Sequence, residues 1–155
     1  MLKNIDPLLS PELLKLLAEM GHEDAIVLAD ANFTAMRYRA GTTSQTVVRL
    51  PGISLARAAR AVLSVLPLGI AQENPVAYMQ VSGSPAGHAS AVQQEVIDIV
   101  HQADSVHAQL KAEAVERFAF YERAQKAYVI VQTGELQPFA NFIFKKGVLS
   151  QATGG

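Results

Sequence analysis

Apolar positions along this chain follow two rhythms. Leu13, Leu16, Leu17 and Met20 recur at i, i+3, i+4 and i+7, which places them on one helical face. Just before them, Ser10 can accept a bond from a free backbone N–H, Pro11 loses nothing at a first helical position, and Glu12 suits the positive end of the dipole. The pattern predicts a helix over 11–20, stopped by Gly21 with its freedom to take a positive φ. Residues 25–29, Ala-Ile-Val-Leu-Ala, are apolar on both faces and too short for a helix. They predict a buried parallel strand that ends at Asp30.

The alternation continues. Residues 31–45 read as a long loop and 46–50 as a strand closed by Pro51-Gly52. Ser54 caps a second helical stripe, Leu55, Ala58, Ala59, Val62, Leu63 and Leu66, ended by Pro67. Further strands are predicted over 75–82, 111–116, 128–132 and 142–146, and further helices over 88–103 and 117–127. Strands alternating with amphipathic helices predict a three-layer α/β/α fold around a mostly parallel sheet. No repeat or linker divides the chain, so 1–150 reads as one domain and 151–155 as a frayed tail.

Composition narrows the function. Half of the 155 residues are apolar and only 17% are charged, a low share that hints at surface hidden between subunits of a homo-oligomer. The net charge of −1, with both signs scattered, gives no electrostatic footprint for nucleic acid. Cysteine is absent, which removes disulfides, thiolate metal sites and cysteine nucleophiles. Asp6, Pro7 and Ser10 to Glu12 interrupt any apolar run after Lys3, and no stretch reaches the roughly 18 apolar residues of a membrane helix. A cytoplasmic protein without membrane contact is the expectation.

Four histidines are available. His88, His101 and His107 lie on or beside a polar helix face and read as solvated surface residues. No pair has metal-ligand spacing, so no protein-built metal site is expected. His22 follows Gly21, ahead of the first strand, and its plainer reading is a helix-end histidine favoured by the dipole. Asp30 lies beyond the carboxyl end of that strand, where open α/β sheets bind ligands. A five-residue strand spans roughly 17 Å. His22 and Asp30 can therefore share a site only if the chain bends sharply or a neighbouring chain supplies one of them. Seven of the ten aromatic residues fall after position 116, beside Arg117, Glu122, Arg123 and Asn141. Flat apolar faces beside polar anchors suit a sugar, although Phe142 and Phe144, on a strand, read as core. Phosphate-cradling and hydrolase motifs are absent from the sequence.

Three blocks of sequence then carry a resemblance. They are LLSPELLKLLAEMGHEDAIVLADANF (8–33), ERFAFYERAQKAYVIVQTGE (116–135) and NFIFKKGV (141–148). In that order they resemble the fucose mutarotase / ribose pyranase family, with the second block closer to the fucose branch. The resemblance implies cofactor-free exchange of anomers, or of pyranose and furanose forms, of a free monosaccharide. It also implies a ring of subunits, decamer or octamer, with active sites where subunits meet. It puts the general acid at His22, sugar contacts at Asp30 and Arg117, and a sugar-contacting triplet at Phe139-Ala140-Asn141. Tyr121, in the FYE stretch, is a second candidate for proton handling. The chain departs from the family pattern at three places: Phe139 stands for tyrosine, Asn32 for histidine and Glu23 for glycine. A ribose pyranase, a non-catalytic sugar-binding accessory to transport and a purely assembling protein remain alternatives.

Overall fold

The computed structural model describes residues 1–151. Of the predicted tail at 151–155, residues 152–155 lie outside those described. Its helices are α1 (Pro11–Glu19), α2 (Ala35–Tyr38), α3 (Leu55–Leu63), α4 (Ala91–Ala103) and α5 (Arg117–Ala124). Its strands are β1 (Ala25–Ala29), β2 (Val47–Leu50), β3 (Val76–Met79), β4 (Glu113–Val115), β5 (Val129–Thr133) and β6 (Phe142–Lys145). They form one six-stranded sheet in the order β2-β5-β1-β6-β3-β4.

The sheet is mostly parallel, as predicted. β1 and β2 pair parallel with β5, and β3 pairs parallel with β4. β6 runs against both its neighbours, β1 and β3. Connection length explains this. Only residues 134–141 separate β5 from β6, too few for the dozen or more that a crossover needs. The chain therefore stays at the carboxyl end of the sheet, passes the end of β1, and re-enters in the opposite direction. That route brings Asn141, just before β6, to the same edge as Asp30.

Alternation along the strands divides the core in two. Ile26, Leu28, Val129, Val131, Phe142 and Phe144 pack with α1, α3 and α4 on one face. Val27, Ala29, Ile130 and Ile143 face the other way, onto Phe33, Ala35, Phe120 and Ala124 of the α2–α5 side. The predicted three layers follow from this period of two. Phe142 and Phe144 are fully buried, so the core reading holds for them.

Several local expectations change. α1 begins as predicted, with Ser10 Oγ accepting the Leu13 N–H. It ends at Met20 in an extended conformation rather than at a left-handed Gly21. The Gly21 N–H is held instead by the Asp24 carboxylate at 2.7 Å, and Glu23 takes the positive φ of 68°. The predicted loop over 31–45 contains α2 and a 3-10 turn, because Ala35 and Phe33 find apolar cover under α5. His107 is buried, not solvated, and its Nε2 meets the Gly69 carbonyl at 2.9 Å. His101 is half-buried against the Leu110 carbonyl at 2.7 Å. Among the described residues no helix is long and apolar enough to cross a membrane.

Candidate active site

Asp30 leaves β1 at the carboxyl edge and is buried. Its backbone N–H donates to Asn141 Oδ1 at 2.8 Å, and Asn141 Nδ2 donates back to Asp30 Oδ2 at 3.0 Å. The other carboxylate oxygen accepts the Asn32 N–H at 2.9 Å, an Asx turn that bends the chain away from the strand. Burial pushes the Asp30 carboxyl above its ordinary range. The bonds from Asn32, Asn141 and Phe33 pull it down, and the negative charge of Glu135 adds to the rise. Asp30 is thus a fixed carboxylate, more basic than an exposed one.

The loops around it are tied by side chains. Gln132 Nε2 lies 3.1 Å from the Ala31 carbonyl and 2.9 Å from that of Phe33. Thr133 Oγ1 donates to the Ala29 carbonyl and accepts the Glu135 N–H. Within the predicted triplet, Phe139 is half-buried with a φ of 63°, Ala140 is fully buried, and Asn141 turns inward. A non-glycine residue at such a φ persists only where its surroundings hold it.

Arg117 opens α5 at the end of β4, behind the capping carboxylate of Glu116, which accepts the Phe118 and Ala119 N–H groups. The Arg117 guanidinium is exposed and lies 4.9 Å from the Phe118 ring centroid and 5.9 Å from that of Tyr121. Tyr121 stacks on Tyr38 at 5.2 Å and leans on Phe33 at 5.7 Å. An aromatic wall therefore runs from Arg117 to the loop that follows Asp30. Phe33 and Tyr38 belong to it although they precede the aromatic-rich third of the sequence. Their signal was two aromatics within a stretch that read as a loop.

His22 is elsewhere. It precedes β1 at the amino edge, exposed, with Nε2 2.8 Å from Glu73 Oε1. A carboxylate only accepts hydrogen bonds, so this contact assigns the proton to Nε2. Nδ1 then carries a lone pair when the ring is neutral and a proton when the ring is charged. The bond to His22 holds the Glu73 carboxyl below its usual range. His22, Glu23 and Glu73 carry possible ligand atoms within 4.8 Å of one another, all on this open edge. Glu73 lies 51 positions from His22, and spacing rules gave no sign of it.

One chain thus brings Asp30, Asn141, Phe139, Ala140, Tyr121 and Arg117 toward one edge of the sheet and leaves His22 with Glu73 on the other. A cavity of about 630 Å³ beside α4 and β4, lined by Tyr78, His101 and Glu113, includes neither His22 nor Asp30. Large apolar side chains stand exposed near both edges. Ile70 opens the turn that carries Glu73, Phe118 adjoins Arg117, and Leu136 follows Glu135.

Known proteins share this architecture and much of the sequence. Residues 3–149 match the RbsD / FucU transport protein family. The fucose mutarotase of Homo sapiens is 43% identical over 152 residues, which cover 96% of this chain and 95% of that protein. The L-fucose mutarotase of Glaesserella parasuis serovar 5 (strain SH0165) is 42% identical over 155 residues, covering 96% of each. A crystal structure of the fucose mutarotase from Streptococcus pneumoniae in complex with L-fucose matches with a TM-score of 0.79 and 33% identity, covering 96% of this chain and 100% of that one. With its six-stranded sheet and a match over nearly its whole length, the chain belongs to the RbsD / FucU transport protein family.

Proposed function

We propose that this chain is an L-fucose mutarotase, an isomerase that interconverts the α and β anomers of the free sugar without a cofactor. The observation that carries the reading is the buried Asp30–Asn141 pair at the carboxyl edge of the sheet, in a chain 43% identical to a fucose mutarotase.

The reaction needs one proton taken and one given. Asp30, made more basic by burial, accepts the proton of the anomeric hydroxyl. The C1–O1 bond becomes a carbonyl as the C1–ring oxygen bond breaks, and its electron pair goes to the ring oxygen. His22, oriented by Glu73, protonates that oxygen. The open aldehyde turns about its C1–C2 bond and closes on the other face with both transfers reversed. Asn141 keeps Asp30 aimed, Arg117 anchors sugar hydroxyls, and the ring of Phe139 offers an apolar face. Tyr121, whose hydroxyl can give or take a proton, supports the transfer. One acid/base pair supplies about 10²–10⁴-fold.

His22 and Asp30 act on one sugar if the amino edge of one subunit meets the carboxyl edge of the next. A head-to-tail contact of that kind closes into a ring where the rotation from one subunit to the next completes a full turn. The exposed Ile70, Phe118 and Leu136 support such a contact. A cytoplasmic ring, octamer or decamer, belongs to the same proposal.

Saturation-transfer NMR on the anomeric protons of L-fucose and D-ribose tests the activity. Wild-type protein is expected to accelerate exchange of L-fucose, and His22→Ala to lose the acceleration. Faster exchange of D-ribose than of L-fucose would assign a pyranase, and binding without exchange would assign a sugar-binding accessory.

A further inference from the structure

Gln93, in the first turn of α4, is fully enclosed, and both ends of its amide are used. Its Oε1 accepts the Ser90 N–H at 2.9 Å, which closes the capping box at the start of α4. That cap needs only the oxygen. The nitrogen goes elsewhere: Nε2 donates to the Met79 carbonyl at 2.7 Å and to the Phe139 carbonyl at 2.8 Å. One side chain thus bolts the end of β3 to the loop that enters β6.

The Phe139 carbonyl is a junction. It also accepts the Asn141 N–H at 2.8 Å. Asn141 in turn holds Asp30 through the two bonds of its side chain. Phe139 keeps a left-handed backbone that a bulky residue adopts only under constraint, and the Gln93 bond is such a constraint. Gln93 itself is fully buried and is not among the residues proposed to meet the sugar.

We propose that Gln93 is a positioning residue for this enzyme: by fixing the Phe139 carbonyl, it sets the aim of the Asn141–Asp30 pair. The proposal rests on the assignment of Asp30 and Asn141 as the groups that meet the sugar. Without the Gln93 amide the loop keeps its sequence and its fold but loses the bond that selects one arrangement of Phe139. A displacement of about 1 Å at a reacting group is enough to slow a reaction severely.

The test compares Gln93→Met, Gln93→Asn and Ser90→Ala in the full-length assembled protein. Methionine keeps the packing volume and removes the donor. Asparagine keeps a buried amide but is one methylene short of the Phe139 carbonyl, and it serves if the methionine variant does not fold. Ser90→Ala damages the helix cap and leaves the Gln93–Phe139 bond. Four quantities are read: kcat and KM for L-fucose anomer exchange, the Asn141 side-chain amide resonance, and the titration of the Asp30 carboxyl by NMR. Both Gln93 variants are expected to lower kcat about ten- to hundredfold with a much smaller change in KM. They are also expected to shift the Asn141 resonance and to raise the Asp30 titration midpoint. Ser90→Ala lowers the melting temperature and leaves all four quantities in place. Gln93 variants that lose only melting temperature, as Ser90→Ala does, would overturn the proposal. If wild-type protein exchanges no sugar but the Asn141 and Asp30 signals still move, the mutarotase reading falls and the positioning link survives. If those signals stay fixed, the link itself is refuted.

Discussion

Asp30 and Asn141, 111 positions apart, hold each other through two reciprocal hydrogen bonds of 2.8 and 3.0 Å. Two chain segments that enter the sheet in opposite directions, β1 ending and β6 beginning, are locked at the edge where α/β sheets place their ligands. Replacing Asn141 by alanine strands the Asp30 N–H and removes a donor from a buried carboxylate. The expected cost is about 2–4 kcal/mol of stability, with the Asp30 carboxyl moving further up. Urea unfolding and carboxyl NMR check both, and a loss below about 1 kcal/mol would show that the pair is not a structural lock.

The rise of the Asp30 carboxyl has a signed consequence. A carboxyl raised on folding binds its proton more tightly in the folded state. Its contribution to stability is therefore best below the ordinary carboxylate value and declines as pH climbs through the raised one. Asp6, held low first by its hydrogen bond with Arg57, behaves in the opposite sense and loses its contribution as pH falls. The difference in unfolding free energy between wild type and Asp30→Ala, followed from about pH 3 to 7, isolates the first effect. It is expected to shift against wild type as pH rises. A difference that is flat across that range would contradict the assignment.

Glu73 accepts from Nε2 of His22, which in the proposed mechanism leaves Nδ1 for the proton transfer. Glu73→Gln keeps the shape and removes the charge that fixes the ring. Its kcat for L-fucose is expected to fall about five- to twentyfold, a fraction of the loss from deleting His22 itself. Anomer-exchange rates measured at saturating sugar decide this, and an unchanged kcat would make the Glu73 contact incidental.

Glu23 holds a φ of 68°, in the left-handed region that glycine adopts at no steric cost. Glu23→Gly is expected to raise stability by up to about 1 kcal/mol, the left-handed strain relieved less the added freedom of the unfolded chain. Denaturant midpoints of the two proteins check it, and a lower midpoint for the glycine variant would count against strain at this position.

Legibility in the sequence followed the range of the interactions. The strand at 25–29 and the helix starts at Ser10 and Ser54 are set within a few residues, by apolar spacing and caps, and they read correctly. α2 did not, because a four-residue helix is stabilised by α5 packing over it rather than by its own pattern. The reversed direction of β6 became evident only with the sheet order, although the short 134–141 connection held the clue. At the candidate site, Asp30 was legible from its place after a strand, while the family roles of Arg117, Phe139 and Asn141 came from the resemblance. Glu73 and Gln93 were not legible at all. Their partners His22 and Phe139 lie 51 and 46 positions away, and no local pattern codes for such pairs. His107 misled for the same reason, since its polar neighbours in sequence are not those that enclose it.

The separation of His22 from Asp30 within one chain makes complementation the most direct test of a site shared between subunits. His22→Ala and Asp30→Ala proteins are mixed, unfolded and reassembled together, and L-fucose anomer exchange is measured by saturation-transfer NMR. Each variant alone is expected to be inactive. In a random mixture, about one interface in four pairs an intact His22 with an intact Asp30, so about a quarter of wild-type activity is expected to return. A reassembled mixture that stays inactive, while wild-type protein put through the same cycle recovers, would contradict the account and place the reaction within a single chain.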